Sequence, residues 1–227
     1  MPQHQTHSEN PDKHPKQDFQ VERIAFFSDA VVAIAITLLI LEIKIPHISK
    51  DSTYSQILEQ LAGLQYGFLA LVLSFIVIAN YWIVHHLLFK HIINYNRRIL
   101  WSNMIFLFTI IIFPFTISLF AESGDNKEVF SLAFKLFFLN NVLSLLALSS
   151  VYWVAFKIYK GFSYVLSKEE EAKIKNDLFF PLIAFSILLI GSFFTDRMDI
   201  LLGINFFIVI GKKIITRITK AKKKAAN

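Results

Sequence analysis

The sequence contains no cysteine. Disulfides, thiolate metal centres and cysteine nucleophiles are thereby excluded, although this absence does not fix the compartment. Charge is also sparse. Asp, Glu, Lys and Arg make up 18% of the chain, against 55% hydrophobic residues, a balance unlike that of an ordinary soluble domain. The segment 1–20 is polar, rich in His, Gln, Lys and Pro, and lacks the apolar core of a signal peptide. The first apolar run is therefore expected to serve as its own uncleaved insertion signal. An internal repeat is missing too. A Ser-Asp pair near the start of the first run has no counterpart in the second half, and the inverted repeat that many transporters carry is not evident.

What the chain does have is long apolar runs, 24 Phe among 227 residues, and a mean hydropathy of +0.52. A helix needs about 20 apolar residues to cross a bilayer core. Six runs of this kind predict a polytopic, all-α integral membrane protein. The spans are expected at 24–45, 64–88, 99–120, 130–156, 178–194 and 200–215. Around them lie a disordered N-tail over 1–22 and a basic C-tail over 217–227, with the six-helix domain at 23–216. In the loop 157–177, the stretch SKEEEAKIKND reads as an amphipathic or solvated helix. Pro114 is expected to kink the third span.

The formal charge of +6 reflects topology rather than nucleic-acid binding, because the basic residues cluster between and after the apolar runs. Eighteen Lys and Arg fall on one side of the predicted topology and five on the other. The basic side is cytoplasmic by the positive-inside rule. Both termini are accordingly expected inside, in a multi-pass plasma-membrane protein in contact with membrane lipids. His4, His7 and His14 read as part of a solvated tail, not a metal site. No cofactor is expected.

Residues 23–46, RIAFFSDAVVAIAITLLILEIKIP, open with Arg-x-x-x-x-Ser-Asp. At about 100° per residue, Phe27, Ala30, Ile34, Leu38, Leu41 and Ile45 form one apolar stripe. Asp29 and Ser28 lie about 140° and 120° from Ile34 on the same wheel. A carboxylate in a bilayer should face protein or water, so these two mark the protein-packed side. Their candidate partners are Asn80, Trp82, His85, His86 and Asn103. An Ile/Leu stripe by itself reads as helix packing or lipid contact. The His85–His86 pair reads as packing rather than as a metal or proton-relay site, and Asn140, Asn141 and Asn205 as polar contacts between helices.

Arg23, Phe27, Ser28 and Asp29, with AVVAIAITLLILEIKIP after them, resemble the first helix of the transmembrane protein 175 family. The resemblance continues in NYWIVHHLLF and in the region from Asn103 to Pro114. It implies a prokaryotic potassium-permeable channel, a homotetramer with six spans per subunit and helix one lining a central pore. Carried over residue by residue, it implies a pore constriction at Ile34, Leu38 and Leu41, flanked by the hydroxyl of Thr37. Arg23, Phe27, Ser28 and Asp29 would then form a helix-packing motif with His85 or His86. No TVGYG-like loop is present, so a carbonyl filter is not available. A proton-coupled cation transporter using Asp29 and a histidine is the alternative. A membrane enzyme is a third reading, but the only candidate cluster, His85/His86 with Asp29, lacks a nucleophile and a sufficient ligand set.

Overall fold

The computed structural model describes residues 15–123, 126–195, 197 and 200, with backbone alone at 15–19. Among the described residues, five helical runs are long and apolar enough to cross a membrane. The sixth expected span, 200–215, with Asn205, lies outside the described residues apart from Ile200. So do the C-tail and His4, His7 and His14.

Helix α1 (Pro15–Leu38) begins upstream of the expected boundary, so Pro15 to Glu22 are helical and not part of a disordered tail. Proline at the first helical position loses no intrahelical bond. The apolar run that follows has no polar solvent for its backbone, which must pair internally and therefore coils. The α-helix stops earlier than expected. Leu39–Glu42 tightens into a 3₁₀ turn, and Ile43 is extended at φ −89°, ψ 98°. Pro46 biases the residue before it away from α geometry, so Ile45 does not continue the apolar stripe. Leu38 and Leu41 stay aligned, since positions three apart eclipse in a 3₁₀ turn.

A short helix, α2 (Tyr54–Ala62), precedes α3 (Gln65–Phe89). It starts with a capping box between Thr53 and Gln56, a pattern legible in TYSQ. The third expected span is two helices, α4 (Arg97–Ile111) and α5 (Phe113–Ser123). The break falls just before Pro114, which has no N–H to continue the ladder. Helix α6 (Lys127–Trp153) ends in a π turn, Val154–Ile158. The expected solvated helix and the fifth span prove to be one continuous helix, α7 (Lys168–Gly191), opened by a capping box of Ser167 with Glu170.

Helix α6 is central and packs on α4, α5 and α7, while α1 lies against α3 and α4. In lipid, moving an apolar side chain inward yields little transfer free energy, so close packing and polar contacts must hold the helices. Phenylalanines supply the packing. Phe113 meets Phe137 edge-on at 6.0 Å, Phe120 meets Phe130 at 5.5 Å, and Phe138 meets Phe185 on α7 at 5.7 Å. The polar contacts run from α6 in two directions. Tyr81 donates its hydroxyl to Asn141 Oδ1 at 2.8 Å, and Asn140 Nδ2 donates to the Thr109 carbonyl at 3.0 Å.

At one end of the bundle the α3–α4 connection pairs with the turn before α7. Ile92 and Ser163 form an antiparallel bridge. Ile93 N donates to Phe162 O at 2.9 Å, and Tyr164 N donates to His91 O at 2.8 Å. The Tyr95 hydroxyl bonds Gln20 of α1.

Candidate functional site: the first helix and its anchor

Helix α1 and the 3₁₀ turn that follows it have two unlike faces. Val32, Ala35 and Leu39 are buried against the bundle. Phe27, Ile34, Leu38 and Leu41 are bare, Ile34 at 59% and Leu41 at 70% exposure. Thr37 is exposed as well, and its hydroxyl donates to the Ile34 carbonyl at 2.8 Å. With its hydrogen turned to the backbone, the oxygen lone pairs remain free to face whatever occupies the space outside the helix.

Ser28 anchors the buried face. Its hydroxyl donates back to the Ile24 carbonyl at 2.8 Å and accepts from Asn103 Nδ2 at 2.9 Å. The Asn103 amide is thereby oriented with Oδ1 toward His85 Nε2 at 2.8 Å. An amide oxygen only accepts, so His85 carries its hydrogen on Nε2. The imidazole is 1% exposed and stacks between Phe89, at 4.4 Å, and Phe106, at 5.3 Å. One polar line, Ile24–Ser28–Asn103–His85, thus joins α1, α4 and α3. A buried serine, asparagine and histidine on three helices would each be costly alone, and together each has a partner.

Of the two candidate histidines, then, His85 joins the motif and His86 does not. His86 is exposed and lies against Trp82, with ring centroids 5.7 Å apart. Asp29, half-buried, accepts from Trp82 Nε1 at 2.8 Å. Asn80, another candidate partner, turns to its own helix and donates to the Ile76 carbonyl. Asp29 and His85 therefore each have a different partner and share no hydrogen bond. Arg23 is exposed and, with Gln20, Phe27, Tyr95, Asn103 and Met104, borders a cleft of about 440 Å³ between α1 and α4.

The other end of α1 carries a contact that periodicity does not predict. Lys44 Nζ donates to Glu122 Oε1 at 2.6 Å, tying the chain after the 3₁₀ turn to the end of α5. That hydrogen bond holds the Lys44 ammonium above its usual range. Nearby, Gly67 of α3 lets α5 come close. A Cβ there would stand 3.3 Å from the Ala121 Cβ and 3.8 Å from Ile43. Among the described residues, no group of three or more His, Asp or Glu is placed to hold a metal ion.

Residues 23–114 match the model of the family described as the endosomal/lysosomal potassium channel TMEM175. A potassium channel of Chryseobacterium sp. is 39% identical over 92 residues, 40% of this chain and 44% of that protein. A potassium channel of Streptomyces collinus is 31% identical over 131 residues, 58% of this chain and 62% of that protein. The chain thus spans about half the length of the curated relatives it matches. Among solved structures, the lysosomal potassium-selective channel TMEM175 homolog from Chamaesiphon minutus superposes with a TM-score of 0.69 at 25% identity, covering 86% of this chain and 97% of that one. Over residues 23–114 the chain is thus similar to the TMEM175 family, and the matched stretch takes in most of α1, the Ser28–Asn103–His85 line and the bare stripe.

Proposed function

We propose that the protein is a potassium-permeable cation channel whose copies assemble, as a homotetramer, around a pore lined by α1. The observation that carries this reading is the asymmetry of α1. One face is fixed to α3 and α4 by Ser28, Asn103 and His85, and the other presents Ile34, Leu38 and Leu41 exposed. The names of the relatives agree with it. In a closed ring, four copies of an apolar stripe narrow a water-filled path. Such a constriction gates by dewetting, since a small change of radius drains it. Thr37, its hydrogen occupied, offers an oxygen to a partly hydrated cation beside the ring. Asp29 and Arg23 belong to packing and to the membrane edge, not to the permeation path. The distribution of Lys and Arg supports both termini cytoplasmic, and the bacterial relatives support a multi-pass plasma-membrane protein.

The test is cation flux through purified protein in liposomes. Voltage-driven potassium uptake with no imposed proton gradient is the expected result. Potassium movement that required a proton gradient would replace the channel with a coupled transporter. A single-subunit mass by light scattering in the same bilayer-mimicking detergent that preserves flux would rule out a shared pore.

A further inference from the structure

His91 follows the end of α3, in the stretch that pairs with the turn before α7. Both of its ring nitrogens face acceptors. Nδ1 lies 2.9 Å from the Leu87 carbonyl oxygen, and Nε2 lies 3.6 Å from Glu170 Oε1. A carbonyl and a carboxylate can only accept. Neutral imidazole has one N–H and must turn a lone pair toward one of them. Imidazolium has two and satisfies both.

Glu170 is held in place for this contact. Its other oxygen, Oε2, accepts from Ser167 N at 3.0 Å and Ser167 Oγ at 2.8 Å, within the capping box that starts α7. The imidazole is mostly enclosed, with its side chain 16% exposed. Other charges around it are engaged or turned outward. Glu171 is taken by Lys157 at 2.6 Å, Lys175 at 2.9 Å and the Tyr152 hydroxyl at 3.1 Å. Arg98 of α4 stands over the Tyr159 ring. Lys90, Lys160, Lys168 and Glu169 are exposed. Tyr164 meets His91 through its backbone.

We propose that His91 and Glu170 form a proton-operated latch between the end of α3 and the start of α7. One proton from solvent is taken up at Nε2, and no other covalent bond changes. Closure fixes the α3–α4 connection, which carries Tyr95 and through it Gln20 of α1, against the start of α7. The inner end of α1 is thereby held more firmly in acid. Imidazole is the side-chain class that changes charge between about pH 5 and 8.

The effect on flux rests on the channel reading, whereas the latch itself does not. Amide hydrogen exchange is therefore measured first, on the full chain in micelles at pH 6 and pH 8, corrected for intrinsic exchange. The Ile93 and Tyr164 amides are expected to be about threefold better protected at pH 6, the size of effect a partly exposed ion pair gives. Glu170→Gln, which keeps the capping pattern, and His91→Gln should each abolish the difference, while His86→Gln should keep it. A pH effect that survives in Glu170→Gln, or none in the wild type, overturns the latch. Flux at the two pH values in liposomes is the second arm. Glu170→Gln should match the wild type at pH 8 and lose its pH dependence. An absence of flux at both pH values would fail the channel reading alone, with amide protection still deciding the latch.

Discussion

Removing Asn103 tests the polar line that fixes α1. In Asn103→Leu the volume is nearly kept, but His85 Nε2–H loses its acceptor at a site only 1% exposed and closed above and below by Phe89 and Phe106. An orphaned buried donor costs about 1–3 kcal/mol. Ser28 loses an incoming bond but still donates to Ile24, so it adds little. The expected cost is about 2 kcal/mol. It exceeds the ~0.6 kcal/mol typical of interhelical hydrogen bonds in membranes, because here the partner left behind can reach neither water nor another acceptor. His85→Phe should cost about 1–2 kcal/mol, since it strands Asn103 Oδ1. The double variant strands neither group, and aromatic stacking is kept. It should be no less stable than Asn103→Leu alone, giving a coupling of about 1–2 kcal/mol. Reversible unfolding in mixed detergent and SDS micelles, followed by tryptophan fluorescence, measures all four proteins. Additive costs in the double variant would refute the idea that these two residues stabilise the fold through each other.

Three further outcomes follow from the same geometry. Gly67→Ala places a Cβ 3.3 Å from Ala121 and should cost under about 1 kcal/mol, while Gly67→Leu forces α3 from α5 and should cost about 1–3 kcal/mol, as overpacking does, in the same unfolding assay. Trp82→Phe removes the donor to Asp29 at a partly exposed site and should lower stability by under about 1 kcal/mol with potassium flux unchanged. Leu38→Ala and Ile34→Asn remove apolar bulk from, or wet, the bare stripe, and should raise potassium flux in liposomes with the unfolding midpoint unchanged. Flux equal to the wild type in both would count against the stripe as a constriction.

The two faces of α1 were legible because bilayer physics separates them. A serine and an aspartate cannot face lipid, so periodicity alone placed Ser28 and Asp29 toward protein, and Ser28 is indeed buried. Their partners were legible only as a short list. His85 and His86 differ by one position, which is about 100° on a helix, and the sequence does not say how α3 is rotated against α1 and α4. The break near Pro114 followed from a missing N–H. The 3₁₀ turn at Leu39–Glu42 and the merging of the 168–177 segment with the fifth span did not, because a strongly apolar helix can carry a polar, capped extension without any change of periodicity. Contacts between distant loops were out of reach altogether. Lys44–Glu122 and His91–Glu170 each join groups far apart in sequence, and nothing local marks them as pairs.

The native chain has no cysteine, so single cysteines can be placed along α1 and probed with a positively charged, membrane-impermeant thiol reagent during potassium flux. If α1 lines the permeation path, Ile34→Cys, Leu38→Cys and Leu41→Cys will react and lose flux on modification, while Val32→Cys, Ala35→Cys and Leu39→Cys, which lie on the buried face, will not. Equal reactivity on both faces, or modification at 34, 38 and 41 with flux intact, would contradict a pore built from this stripe.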